Sequence, residues 1–232
     1  MNRVSGACVV LVLFLGTLMV RADDKALSRA QQTAVADVTS REALIKDVNR
    51  KIWEYAEVGL QERKSAGLLV KTLKQNGFAV KSGVAGMPTA FVASYGKGQP
   101  VIGILAEYDA LPGMSQKVEP VRAAVRSGQP GHACGHSGLG SGALGAALAV
   151  KAAMDRHKIK GTIRLYGTPA EETVIGKVYM LLDGQFDDLD RYALRPGNVH
   201  CPWLVEPVAA RYRDKRLRRF FRSDAAFALP SI

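Results

Sequence analysis

Residues 101–106 read VIGILA, an apolar run with no polar position to turn toward water. A run of that length is a strand buried on both faces. It forces a layered fold, because something apolar must cover each side of it. Upstream, Leu44, Val48, Ile52, Tyr55 and Ala56 fall three or four apart from Arg41 onward, which predicts a helix stopped by Gly59. A second helix is expected from about Glu62 to Gln75, burying Ala66, Leu69, Val70 and Leu73, with Asn76-Gly77 as its end signal. The period then switches to two in FAVKSGV and TAFVASYG, which read as strands. Residues 139–155 are small and apolar, as in a helix packed closely on a sheet. GTIRLYGTP is the next buried strand and TVIGKVYMLLDG the next helix. The expectation is an α/β layer fold with a largely parallel or mixed sheet.

Two stretches lie apart from that pattern. Met1-Asn2-Arg3 is positively charged, Val4 to Val20 is apolar apart from Ser5, Gly6, Gly16 and Thr17, and Val20-Arg21-Ala22 offers a cleavage site. This is the grammar of a signal peptide over residues 1–22. The alternative is an uncleaved anchor, for which the run is short against the roughly 20 residues a spanning helix needs. Export to the periplasm or outside the cell, with no stable membrane anchor after cleavage, is the expectation. Residues 23–40 then read as a polar lead-in, mobile or a fraying helix.

The second stretch is the C-terminal tail. The chain carries +11, which invites a nucleic-acid partner, but +6 of it falls in residues 191–232, with eight Arg and one Lys against three acids. That segment also holds four of the ten Pro and only one of the 23 Gly. A charge gathered there argues against a nucleic-acid function for the body of the chain. A boundary near Asp190 separates residues 41–190 from a basic tail, disordered or out of frame. The alternative is a natural basic extension, RYRDKRLRRFFR, that contacts anionic surfaces.

The chemistry-bearing residues sit at the expected ends of strands, where sites form in such sheets. Glu107-Tyr108-Asp109 follows VIGILA, GHACGHSGLG precedes a helix, and Glu171-Glu172 follows GTIRLYG. Cys134 and His136, spaced by one residue and flanked by glycines, are good ligands for zinc and its neighbours. No CxxC pair completes a structural zinc site, so a catalytic site that admits carboxylates fits better. With a metal present, one of Glu171 and Glu172 can bind it while the other takes a proton from water. Three other readings stand beside this one: TPAEET as a helix start with acids in its first turn, Cys134 as a thiol nucleophile beside a histidine, and a disulfide between Cys134 and Cys201. His157 reads as a surface cation at a helix end, and Trp53 and Tyr55 as packing residues.

Taken in order, WEYAEVGLQERKSAGLLVKTLKQNGFAV, GILAEYDALPG, GHACGHSGLG and GTPAEE resemble the metal-dependent amidohydrolases of the aminoacylase/carboxypeptidase family of metallopeptidases. The resemblance covers residues 41 to about 190. It implies a zinc-exopeptidase-like three-layer α/β catalytic domain, here its N-terminal half. It also implies a site with two zinc or manganese ions and hydrolysis of the amide of an N-acyl amino acid or small peptide. By that resemblance Cys134, His136 and Glu172 are metal ligands, Glu171 is the general base, Asp109 is the supporting acid, and His132 lies just behind the ligands. Ser137 departs from the Asp or Asn usual there. The tail departs further. Arg195-Pro196 stands where a ligand His-Pro is expected, and His200 follows no recognisable motif. The family's inserted dimerisation domain and the returning half of the catalytic domain are not in the sequence. A frameshifted or truncated, inactive product is therefore the expectation, against a non-enzymatic remnant or basic binding module.

Overall fold

The computed structural model describes residues 26–193. The expected signal peptide lies outside the described residues, as do most of the basic tail, Arg195, His200 and Cys201. A five-stranded mixed sheet runs in the order β1-β2-β4-β3-β5, with β1 Ala79–Ser82, β2 Phe91–Lys97, β3 Val101–Ala106, β4 Gly161–Gly167 and β5 Arg191–Ala193. β3, β4 and β5 are mutually parallel, and β2 is antiparallel to both β1 and β4. The helices are α1 Arg29–Ser40, α2 Glu42–Tyr55, α3 Arg63–Gln75, α4 His136–His157 and α5 Gly176–Leu182.

The alternation along the strands divides two cores. Phe91 and Ala93 of β2, Ile104 and Ala106 of β3, and Ile163 and Leu165 of β4 point to one face. There they pack with Val48 and Ile52 of α2, Leu69 and Leu73 of α3, and Leu144 and Leu148 of α4. Tyr166, Val92 and Leu105 point the other way, toward Met180 of α5, Phe186 and Leu189. The fold is therefore three-layered, helices over both faces of the sheet, as expected for strands apolar on both sides. α4 is the crossover between parallel β3 and β4. Its small residues let it lie close: a Cβ at Gly140 would stand 2.7 Å from the backbone oxygen of Glu107.

Several expectations need correction. The first long helix stops at Tyr55, where Ala56 takes the left-handed conformation (φ 44°, ψ 46°). Gly59 instead serves a close approach, since a Cβ there would lie 2.2 Å from Thr173 Oγ1. Of the two readings of the lead-in, mobile or helical, Arg29–Ser40 takes the helical one. Ser28 and Gln31 make a reciprocal capping box on α1, which satisfies otherwise bare N–H groups, and Thr33 Oγ1 meets His157 Nε2 at 2.8 Å. The sheet also runs past the boundary near Asp190. Asp190 donates its N–H to Val101 O at 2.9 Å and accepts the Val101 N–H at 2.7 Å, which leads β5 into register with β3. Ladder pairing uses backbone groups, so a composition break could not reveal it. Among the described residues no helix is long and apolar enough to cross a membrane.

Candidate metal centre

Strand register brings the acidic loops together. Ala106 and Gly167, the last residues of parallel β3 and β4, are paired, so Glu107 and Thr168 leave the sheet side by side. Thr168 fixes the level, donating its N–H and its hydroxyl to Ala106 O at 2.8 and 3.0 Å. The chain enters α4 through Gly135, left-handed at φ 81°, a conformation that carries no steric penalty for glycine. His136 is the first residue of that helix and Cys134 lies exposed just before it.

Cys134, His136 and Glu172 each offer a ligand atom, all within 4.8 Å of one another. His136 is buried and its Nδ1 lies 2.8 Å from Asp109 Oδ1. That carboxylate oxygen accepts, so Nδ1 carries a proton and Nε2 is left to face Glu107 Oε2 at 3.1 Å and Glu172 Oε1 at 3.6 Å. Asp109 Oδ2 accepts the backbone N–H of Glu172 at 2.9 Å. Burial pushes the Asp109 carboxyl up, but the His136 and Glu172 hydrogen bonds outweigh it and hold the group below its usual range. Burial disfavours a charged His136, yet Asp109, Glu107 and Glu172 together raise its pKa. The Cys134 thiol is raised by hydrogen bonding to the Glu172 carboxylate and by burial. That is the wrong direction for a free thiolate nucleophile.

Glu171 and Glu172 lie in a turn rather than an extended strand. Glu171 Oε2 accepts from Lys177 Nζ at 2.5 Å, and the same ammonium reaches Glu107 Oε1 at 2.5 Å. His132 stands outside the three-atom group. Its Nε2–H donates to Ile52 O at 3.0 Å, its Nδ1 is buried without a partner among the described residues, and burial lowers its pKa. Ser137 is buried in the first turn of α4. Sequence reasoning passed over Glu107 as a neighbour of His136, and over Lys177 and Glu62. A lone lysine on a short helix and a glutamate opening another carry no spacing signal.

The residues present fit a divalent cation. A thiolate, an imidazole and a carboxylate suit zinc or a close neighbour. Glu172 Oε1 is buried without a hydrogen-bond partner, and such an oxygen calls for a partner such as an ion.

Residues 103–212 match the model of peptidase family M20/M25/M40, which extends past the composition break near Asp190. A p-aminobenzoyl-glutamate hydrolase chain of Escherichia coli (strain K12) is 43% identical over 191 residues, covering 80% of this chain and 38% of that protein. IAA-amino acid hydrolase ILR1-like 6 of Arabidopsis thaliana is 33% identical over 165 residues, covering 70% of this chain and 34% of that one. The chain thus spans well under half the length of these relatives. Among solved structures, a Bacillus subtilis protein described as a dinuclear metal binding peptidase from M20 family superposes with a TM-score of 0.53 at 26% identity, over 68% of this chain and 42% of that one. Ordered motifs, three-layer fold and family match agree: the chain belongs to peptidase family M20/M25/M40, a family of peptidases and amidohydrolases.

Proposed function

We propose that this chain is the metal-binding part of an exported amidohydrolase that cleaves an N-acyl amino acid of the p-aminobenzoyl-glutamate kind. The observation that carries this reading is the meeting of Cys134, His136 and Glu172 within 4.8 Å, beside a second carboxylate, Glu171. The 43% identity to a protein named as a p-aminobenzoyl-glutamate hydrolase supports the substrate class. Cys134, His136 and Glu172 hold the ion, and Asp109 orients His136. A bound divalent ion, zinc or manganese and two in the complete site, supplies Lewis acidity to the amide carbonyl and acidifies water. Glu171 takes the proton of the attacking water and returns it to the leaving nitrogen, so that one amide and one water become one acid and one amine. Lys177, held between Glu107 and Glu171, keeps the general base aimed.

Glu171→Gln and Glu172→Gln separate these roles in an active full-length homologue carrying the same motifs. Glu171→Gln is expected to lower turnover by roughly 10²–10⁴-fold with metal content kept, and Glu172→Gln to lose metal. The opposite pattern would reverse the assignment. Beyond Asp190 the sequence offers one histidine, His200, as a further imidazole ligand. The 232-residue chain alone is therefore expected to turn over p-aminobenzoyl-glutamate and N-acetyl amino acids poorly, even with added zinc or manganese. Robust, chelator-sensitive turnover would refute this. The export reading is checked by mass spectrometry of the mature N-terminus, expected after Ala22.

A further inference from the structure

We propose that Glu62 is a positioning residue whose one buried carboxylate fixes the two acidic loops of the metal centre relative to each other. The inference rests on the metal-centre reading above. Glu62 is 0% exposed, and among the described residues no lysine or arginine pairs with it. A buried acid without a cation is held only where its oxygens are well bonded. Its Oε1 accepts the N–H of Ala170 at 2.8 Å and its Oε2 accepts the Thr89 hydroxyl at 2.9 Å.

Both bonds lead to the site. Ala170 immediately precedes Glu171 and sits at φ 58°, a left-handed conformation that alanine adopts only when its surroundings impose it. The Ala170 N–H is held by Glu62 while the Glu172 N–H is held by Asp109 at 2.9 Å. The short stretch carrying both glutamates is thus tied at each end by a carboxylate. On the other side, Thr89 O accepts the buried Tyr108 hydroxyl at 2.6 Å, and Tyr108 stands between Glu107 and Asp109. Glu62 therefore links the 107–109 loop to the 170–172 loop through three hydrogen bonds. The turn before Glu62 presses on the same place, since a Cβ at Gly59 would lie 3.0 Å from Ala170 Cα.

The test is cobalt titration of the full chain, read by the absorption of the cobalt–thiolate bond to Cys134, with melting temperature measured alongside. Glu62→Ala should weaken cobalt affinity by about 10-fold or more. Glu62→Gln, which keeps an acceptor for Ala170 and a group that bonds the Thr89 hydroxyl, should restore it to near the parent value. Leu69→Ala, in the core of the adjacent helix, should lower the melting temperature and leave cobalt affinity unchanged. If Glu62→Ala does not fold, Glu62→Asp keeps the charge, withdraws it by one methylene, and should still weaken cobalt binding. Parent-like affinity in the folded Ala or Asp variant overturns the inference, as does equal weakening by Leu69→Ala. Failure of the parent chain to bind cobalt would overturn the metal-centre reading itself, and this inference with it.

Discussion

Asp109 does two jobs with one carboxylate: Oδ1 sets the tautomer of His136 and Oδ2 anchors the backbone of Glu172. Carboxylates that orient a ligand histidine contribute to affinity without touching the ion. Asp109→Asn is thus expected to cost about 10- to 100-fold in zinc affinity, measured by competition with a chromophoric chelator. An unchanged constant would place the orienting role elsewhere. Protons compete at the same atoms. The raised pKa values of His136 and Cys134 mean that both groups hold their protons more tightly than in a free chain. Zinc must displace those protons, so its affinity should climb as pH rises from about 6 to 8. Titrations in two buffers of different ionisation enthalpy should report proton release, and a pH-independent affinity would contradict the geometry.

At the scale of elements, α4 and the parallel pair β3–β4 set the site. α4 opens at the carboxyl end of the strands, and its glycines let it lie against the chain that carries Glu107. Gly140→Ala would drive a methyl to 2.7 Å from Glu107 O, a backbone atom that cannot swing aside. It is expected to destabilise the fold by about 1–3 kcal/mol, seen in denaturant unfolding, where an unchanged midpoint would argue against tight packing. The strands, their order of appearance and the long helices were legible because periodicity reports burial directly. The meeting of the loops that carry Asp109, Cys134, His136 and the Glu171-Glu172 pair was legible once the strand ends were located, while the choice of Glu172 as the ligand came from the family resemblance. What stayed hidden depends on contacts between distant segments. Glu62 reads as the start of a helix and Gly59 as a helix stop, and Lys177 carries no spacing signal at all. β5 lay beyond a composition break that backbone pairing ignores.

Across the whole molecule, Cys134 is borne by the loop before α4, His136 opens α4 and Glu172 lies in the loop after β4, while Asp109 follows β3 and Glu62 stands at the N-cap of α3. An ion bound there ties two of the sheet's connections, β3 to α4 and β4 to α5, into one unit. One face of the sheet has a deep cover of helices, whereas the other relies mainly on short α5 and the turns around Phe186 and Leu189. The loop with Glu171 and Glu172 leads directly into that thinner cover, so fixing it should stabilise the layer as well as the site. A ligand that binds only the folded state stabilises it by about 2.7 kcal/mol at 100 times its dissociation constant. For a chain of this size that is about 5–10 °C in melting temperature. Zinc should raise the melting temperature by that order and a chelator should reverse it. Cys134→Ser and His136→Ala should remove most of the shift, while Glu171→Gln should keep it, because a general base leaves binding intact. Equal melting temperatures with zinc and with chelator would mean that the three converging side chains do not hold an ion. A full shift retained by His136→Ala would mean that the ion binds elsewhere.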